Sequence, residues 1–181
     1  MLKISAKAIF LSLFFVGVIV SFYLVNLAEQ GVAYGQEKVV YALPYPGILP
    51  DHPLYFAKVV RDKLMEWMTR DYLKKADLYR LFSDKRVNMA TFLIKKGKNK
   101  LAITTFSKGE KYFLKIPSLL LDSKKQGVAP SSELIDSLKL SNAKHRELAT
   151  ELLKSVSPSQ IAAVEEILKL NQEIKNKLNQ L

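Results

Sequence analysis

Few residues in this chain could perform chemistry. It contains no cysteine and only two histidines, His52 and His145. Without cysteine, disulfides, thiolate metal sites and thiol nucleophiles are excluded. A zinc site needs three or four ligands, usually with paired spacings, and neither histidine has them. We therefore expect no metal and no cofactor, with His52 at the start of a helix and His145 packed near the apolar side of another.

Two pairs of carboxylates are candidates for general acid–base catalysis: Asp62 with Glu66, and Asp77 with Asp84. Such catalysis needs carboxylates in a shared cleft with shifted pKa values. Both pairs alternate with lysine and arginine, which is typical of solvated ion-pair faces. The chain has no glycine-rich phosphate loop, nucleophile elbow or haem attachment motif. We predict no catalytic residues, and a hydrolase of wall polymers acting through these carboxylates is the least favoured alternative.

The densest basic patch comprises Lys95, Lys96, Lys98 and Lys100. These lysines surround Gly97, where we expect a turn between two helices, so their charges converge at one end of the helical domain. A phosphate-bearing ligand would be attracted there at roughly 1 kcal/mol per charge near an anionic surface. The patch is a candidate site for an anionic ligand, and the plainer alternative is a solvated turn.

The whole chain is strongly basic, with a formal net charge of +11. This charge favours acidic partners such as lipid head groups, acidic envelope polymers or an acidic protein. Nucleic acid is disfavoured, because the chain has no aromatic stacking surface interleaved with its basic residues and is predicted to be exported. The plainer alternative is a basic surface that only keeps the protein soluble.

Residues 8–28 determine in which compartment the helices that carry these groups lie. This stretch contains no charged residue, and a helix of this length spans the hydrocarbon layer of a bilayer, which is about 30 Å thick. Lys3 and Lys7 precede the run, so residues 1–7 are predicted to be a cytoplasmic basic region and the later chain to lie outside. We predict a single-pass membrane anchor.

A cleaved signal peptide remains the alternative to an anchor. Small residues at Ala33 and Gly35 occupy the positions that a signal peptidase reads, so the chain could be secreted after cleavage near Gly35. The run is longer than the apolar region of most signal peptides, which favours the anchor.

The remaining pattern predicts an all-α fold. Residues 29–50 are expected to form an extended, proline-rich tether, followed by a helical domain at 51–126 and a helical hairpin at 131–181. Short connections favour an antiparallel bundle of about five helices. Helical periodicity and capping residues place these helices at about 53–68, 71–96, 98–126 with a kink near 115–117, 133–154 and 158–179.

The first helix carries two sequence signals, a start signal and an apolar face. Asp51 is expected to accept hydrogen bonds from the free amides at its N-terminus, and Pro53 to occupy its first turn. Apolar residues at helical spacing mark one face of this helix. They are Leu54, Phe56, Ala57, Val60, Leu64 and Met68, with Trp67 beside them.

The stretch Leu43 to Phe56, with its proline–glycine–proline–aspartate–proline run, resembles an uncharacterised bacterial family, domain of unknown function 5667. The likeness covers about residues 41–127 and weakens beyond. It implies an α-helical domain on membrane-anchored or exported proteins and no known reaction or cofactor. The positions that carry the signature are Pro46, Gly47, Pro50, Asp51, Pro53, Asp84, Arg86 and Gly97.

These observations favour a non-catalytic, membrane-anchored binding or structural module of the bacterial cell envelope. The first alternative is an exported chaperone-like or stress-sensing protein, suggested by the motif from Val156 to Gln160. A capping box alone also accounts for that motif.

Overall fold

The computed structural model describes residues 38–181 and three earlier positions, Val16, Gly17 and Val20. Apart from these three positions, the predicted anchor at 8–28 lies outside the described residues, as does the tether before Lys38. No helix within the described part is both long and apolar enough to cross a membrane. Val39–Leu181 forms one compact unit, separate from Met1–Lys38, and the following description concerns that unit.

The compact unit is all-α, as the sequence predicts, and residues 38–181 contain no strand. The third predicted helix is broken in two, so the five predicted helices appear as six segments, with a 3-10 turn at Pro158–Gln160 before the last. We number them α1 (Tyr55–Met68), α2 (Tyr72–Lys95), α3 (Asn99–Phe113), α4 (Ile116–Lys125), α5 (Ser132–Ser155) and α6 (Ile161–Leu178).

Local signals explain most helix ends. Asp71 accepts a hydrogen bond from the Lys74 amide at the start of α2, and Ser131 accepts one from the Leu134 amide at the start of α5. Gly97 ends α2 with a φ of 71°, a left-handed conformation that glycine adopts without steric cost. The turn expected at Gly97 between two helices is confirmed.

The predicted kink in the third helix is a break. Helix α3 ends at Phe113 and α4 begins at Ile116, with Pro117 in its first turn. Proline cannot donate to the helical ladder and crowds the preceding turn, so the chain stops and restarts there.

Four helical rods form the bundle: α2, α3 with α4, α5 and α6. Helices α2 and α3 form one hairpin and α5 and α6 another, while α2 also packs on α5 and α3 on α6. The first core cluster brings the starts of α2 and α5 together with α4 and the end of α6, so both hairpins are antiparallel, as short connections predict. The pairs formed between the hairpins, α2 with α5 and α3 with α6, run parallel, because the same ends of these helices share each cluster.

The apolar core lies in two clusters, and each rod contributes to both. The first cluster includes Phe82, Phe113 and Leu138, and the second includes Leu93, Phe106 and Leu152. Between them the rods place polar side chains instead of apolar ones. This polar layer consists of Asp84, Glu110, Ser141, His145 and Asn171, all buried.

Helix α1 packs beside the bundle in an unexpected orientation. Its buried residues are Lys58 and Asp62, whereas the apolar residues at helical spacing are exposed, including Leu64 at 53% and Trp67 at 76%. An apolar stripe usually marks the side of a helix that faces the core. Here the polar side is docked and the apolar side is outward.

Candidate functional site

Six buried charged side chains are the main chemical groups inside the domain. Three are acids and three are bases: Asp62, Asp84 and Glu110, and Lys58, Arg86 and His145. Burying a charge is costly unless it is paired and hydrogen-bonded. Each buried acid contacts a buried cation, and Lys58 bonds a backbone carbonyl.

His145 lies at the centre of the polar layer between two carboxylates. Its Nδ1 is 2.8 Å from Glu110 Oε1 and its Nε2 is 3.0 Å from Asp84 Oδ1. A neutral imidazole has only one N–H, so two carboxylate partners require the charged ring. The rings of Phe106 and Phe113 contact its faces edge-on, with centroids at 6.3 and 5.5 Å.

Electrostatics fix the charge of His145. Burial alone would lower its pKa, but the Glu110 charge and the hydrogen bonds that the ring donates to Asp84 and Glu110 outweigh this and raise the pKa to about 9. Burial would likewise raise the pKa of Asp84, and its hydrogen bond to His145 is the main factor that holds it below the usual value. The pair is therefore ionised at neutral pH.

Asp84 also binds the chain that precedes α1. Its Oδ2 accepts a hydrogen bond from the Tyr41 hydroxyl at 2.6 Å, and its Oδ1 accepts one from the Ser141 hydroxyl at 2.6 Å. The Tyr41 oxygen in turn accepts from Arg80 at 3.0 Å. Tyr41, which lies within the predicted tether at 29–50, is thus part of the folded domain, while the neighbouring Val40 is 94% exposed.

A second polar set docks α1 onto α2. Asp62 Oδ2 lies 3.5 Å from Arg86 Nη2, and Arg86 stacks over the Tyr112 ring at 4.4 Å. Lys58 Nζ donates to the Pro46 carbonyl at 2.6 Å, and burial lowers the pKa of Lys58 to about 8 although Asp62 opposes this.

The structure does not bring the candidate catalytic carboxylates together in a cleft. Asp62 pairs with Arg61 and Arg86. Glu66 accepts from Tyr79 and Lys63, and these bonds lower its pKa to about 2 against the effect of burial. The prediction of solvated ion-pair faces is wrong for Asp62, because it is buried.

The other candidate pair, Asp77 with Asp84, is also separated in the structure. Asp77 is exposed and bonds Arg80, whereas Asp84 lies in the polar layer and is buried, contrary to a solvated face. Among the described residues, no group of three or more histidine and carboxylate side chains is placed to hold a metal ion.

An acidic residue, Asp51, lies within the predicted basic patch. Asp51 Oδ2 lies 3.1 Å from Lys96 Nζ and 2.8 Å from Lys98 Nζ, and bonds from Lys98 and then Lys96 lower the pKa of Asp51 to about 2. Lys95 lies over the Phe92 ring at 5.6 Å, and Lys100 borders an open depression.

These contacts correct the expected role of Asp51. The residue before α1 is Leu54, which makes no side-chain cap, and α1 begins at Tyr55, beyond Pro53. His52 lies in the turn that leads into α1, where its Nδ1 accepts from the Leu54 amide at 3.1 Å. It lies three residues before Tyr55, the first residue of α1, rather than in the helix itself.

The remaining proline and glycine positions of the signature lie in the chain that leads into α1. Pro46 is buried and supplies the carbonyl that binds Lys58, and Gly47 follows with a φ of 70°. Pro50 is half-buried and Pro53 is exposed. Several signature positions therefore lie where α1 and the segment before it dock, whereas Asp84 belongs to the polar layer.

Sequence reasoning did not single out Glu110 or Asn171. Glu110 falls between Phe106 and Phe113 on the apolar stripe of α3, and Asn171 falls between Ile167 and Ile174 in α6. Asn171 Nδ2 donates to the Asn142 carbonyl at 2.9 Å and lies 3.5 Å from Glu110 Oε2. A single polar residue that interrupts each apolar stripe at mid-length is the signal that could have found this layer.

The surface feature with the clearest potential for binding is the outer face of α1, formed by exposed Phe56, Val60, Leu64, Trp67 and Met68. A contiguous exposed apolar patch on a soluble domain usually marks an interaction site. The domain is thus an all-α bundle with a charged interior layer and one inverted helix at its side.

Comparison with known proteins identifies the family. The family described as "Domain of unknown function (DUF5667)" matches residues 47–181, and the chain belongs to it. The match covers the C-terminal hairpin, so the resemblance extends beyond the expected limit near residue 127. No curated protein and no solved structure matches the chain.

The first prediction concerns the charge of His145. In a His52→Gln variant, His145 is the only imidazole. We expect its ring to be protonated at pH 6 and at neutral pH, and to lose its proton only near pH 9. NMR of the ring nitrogens measures this. Because the folded pKa lies above the ordinary 6.5, the stability that this charge contributes is complete below about pH 6.5 and is lost as the pH rises towards 9. Ordinary titration near 6.5 would contradict the assignment.

The second prediction concerns Tyr41. Tyr41→Phe removes a hydroxyl that bonds Asp84 and Arg80, so the free energy of unfolding should fall by about 1–2 kcal/mol. Tyr45→Phe is the matched control, because Tyr45 is 79% exposed, and it should change stability by less than about 0.5 kcal/mol. Denaturant titration of the full chain measures both. Equal effects would show that Tyr41 is not part of the fold.

Proposed function

We propose that this chain is a non-catalytic helical binding module held on the outer side of a cell membrane by residues 8–28. The observation that carries the binding role is the outer face of α1, an apolar surface that the fold leaves uncovered. Leaving a large apolar side chain in water forgoes about 1.5–3 kcal/mol relative to burying it. A binding partner would recover this energy.

Two features support a role without catalysis. The buried carboxylates Asp62, Asp84 and Glu110 are each within bonding distance of a buried cation, so their charges serve the fold. The carboxylate pairs of the hydrolase alternative point to different partners rather than to a common cleft.

A chaperone-like role is the second candidate, because an exposed apolar helix face can also bind unfolded chains. The motif that first suggested it has a local explanation, since Gln160 Oε1 accepts from the Ser157 amide and hydroxyl in a capping box. Suppression of client aggregation at near-stoichiometric amounts would favour this candidate over a specific binding module.

The proposed location predicts the accessibility of the C-terminus. When the full chain with a C-terminal tag is expressed in bacterial cells, external protease should remove the tag without lysis, and the chain should sediment with membranes. A cytoplasmic marker protein controls for leakage. A tag that is protected until lysis would contradict the proposed orientation.

Matched variants test the anchor itself. Val16→Arg with Val20→Arg places two charges in the apolar run, each costing about 2.5–3.5 kcal/mol at a bilayer centre, and should abolish membrane retention. Val40→Arg with Val128→Arg makes the same exchange at exposed positions and should retain it. Mass spectrometry of the N-terminus distinguishes an intact anchor from a chain that begins at Gln36.

A further inference from the structure

The outer face of α1 is a continuous apolar stripe. Phe56, Val60, Leu64 and Met68 recur at every fourth position, and Trp67 lies beside them, so all five fall on one side of the helix. The exposed fractions of Phe56 and Trp67 are 67% and 76%. No other described helix has an apolar stripe that faces outward along its whole length.

Specific bonds hold the helix in this orientation. The opposite side carries Asp62, bound to Arg86, and Lys58, bound to the Pro46 carbonyl. Rotating α1 to bury its apolar stripe would break these charged contacts and leave Arg86 unpaired, which is expensive in a buried site. The outward stripe is therefore built into the fold.

The basic side chains of α1 are more exposed than the acidic side chains to which they are bonded. Asp62 and Glu66 have side chains only 3% and 16% exposed, whereas Arg61 and Lys63, which they bind at 2.7 and 2.9 Å, are 58% and 61% exposed. Both basic residues flank the apolar stripe.

Basic grooves border the helix on both sides. One is lined by Val59 and Tyr112 together with Lys108, Lys111 and Lys115. The other is lined by Ile48 and Ala57 together with Lys58, Arg61 and Lys85. Neither groove has a carboxylate among its lining residues. An apolar ridge with aromatic residues and basic flanks is the pattern of a helix that lies in the interface of an anionic membrane.

The length of the connecting chain limits how far this surface can be from a bilayer. Residues 29–38 join the apolar run to the compact unit that begins at Val39, and ten residues span at most about 35 Å. If residues 8–28 cross the bilayer, the domain remains close to the lipid surface.

We propose that α1 binds the interface of an anionic lipid bilayer, with Phe56, Val60, Leu64 and Trp67 among the acyl chains and the basic flanks on head-group phosphates. This inference rests on the proposed membrane anchor and names the partner of the module. A second copy of the chain fits less well, because the outer faces of two copies would bring together the lysines of the bordering grooves, whose linings contain no carboxylate.

The only tryptophan in the chain, Trp67, reports on this contact directly. The full chain is reconstituted into vesicles of phosphatidylcholine with or without phosphatidylglycerol, containing lipids brominated at different depths. We expect strong quenching of Trp67 in the anionic vesicles, greatest for bromines in the upper part of the acyl chains, because an interfacial helix lies about 5–10 Å into the boundary. Equal quenching without phosphatidylglycerol would overturn the anionic preference.

Variants separate the lipid contact from the fold. Leu64→Lys should reduce the quenching by bromolipid to near background with unchanged helix content by circular dichroism. Leu140→Lys makes the same exchange at an exposed apolar position of α5 and should leave the quenching unchanged. Lys108→Glu with Lys111→Glu should remove the dependence on phosphatidylglycerol.

The remaining outcomes distinguish the two proposals. If the chain floats with vesicles while Trp67 is quenched by aqueous iodide and not by bromolipid, the lipid contact is wrong and the anchor stands. If Trp67 is shielded from both quenchers, a second copy or the N-terminal run covers the face, which also overturns the inference. If the chain does not float with vesicles, the proposed anchor itself fails.

Discussion

The charged His145 ring between Asp84 and Glu110 is the interaction on which the rest of the domain depends. It joins α2, α3 and α5 at the centre of the bundle, where apolar packing is interrupted. Removing His145 would leave the Asp84 and Glu110 charges buried without the cation between them, a loss of about 3–5 kcal/mol in comparable sites. Because each hydrogen bond is directional, the layer also fixes the register in which the two hairpins meet.

The same principle governs α1 and explains its inverted orientation. A helix that docks through a buried ion pair can leave its apolar side free, and the Asp62–Arg86 contact has this effect here. The apolar surface is then available for binding rather than for folding. The fold and the proposed membrane contact are therefore linked through one buried arginine, which also stacks on Tyr112.

The sequence predicts the helices and their ends because those depend on local chemistry, as at Asp71, Gly97 and Pro117. It does not predict which side of α1 faces the bundle, because periodicity identifies an apolar face without stating what covers it. Asp84 was recognised as part of a family signature and His145 as a packed histidine, yet their pairing links residues from different helices. Only the tertiary arrangement brings Glu110 to the other ring nitrogen.

The central claim is that polar contacts dock α1 and leave its apolar side outward. The chain has no cysteine, so single cysteines along α1 can each carry a spin label whose mobility is measured by electron paramagnetic resonance. Labels at positions 56, 60 and 64 should be mobile, and labels at 55 and 59 should be more restricted, because Tyr55 and Val59 line the groove beside Arg86 and Tyr112 without taking part in the charged contacts. Greater mobility at 55 and 59 than at 56, 60 and 64 would contradict the outward orientation of the apolar side.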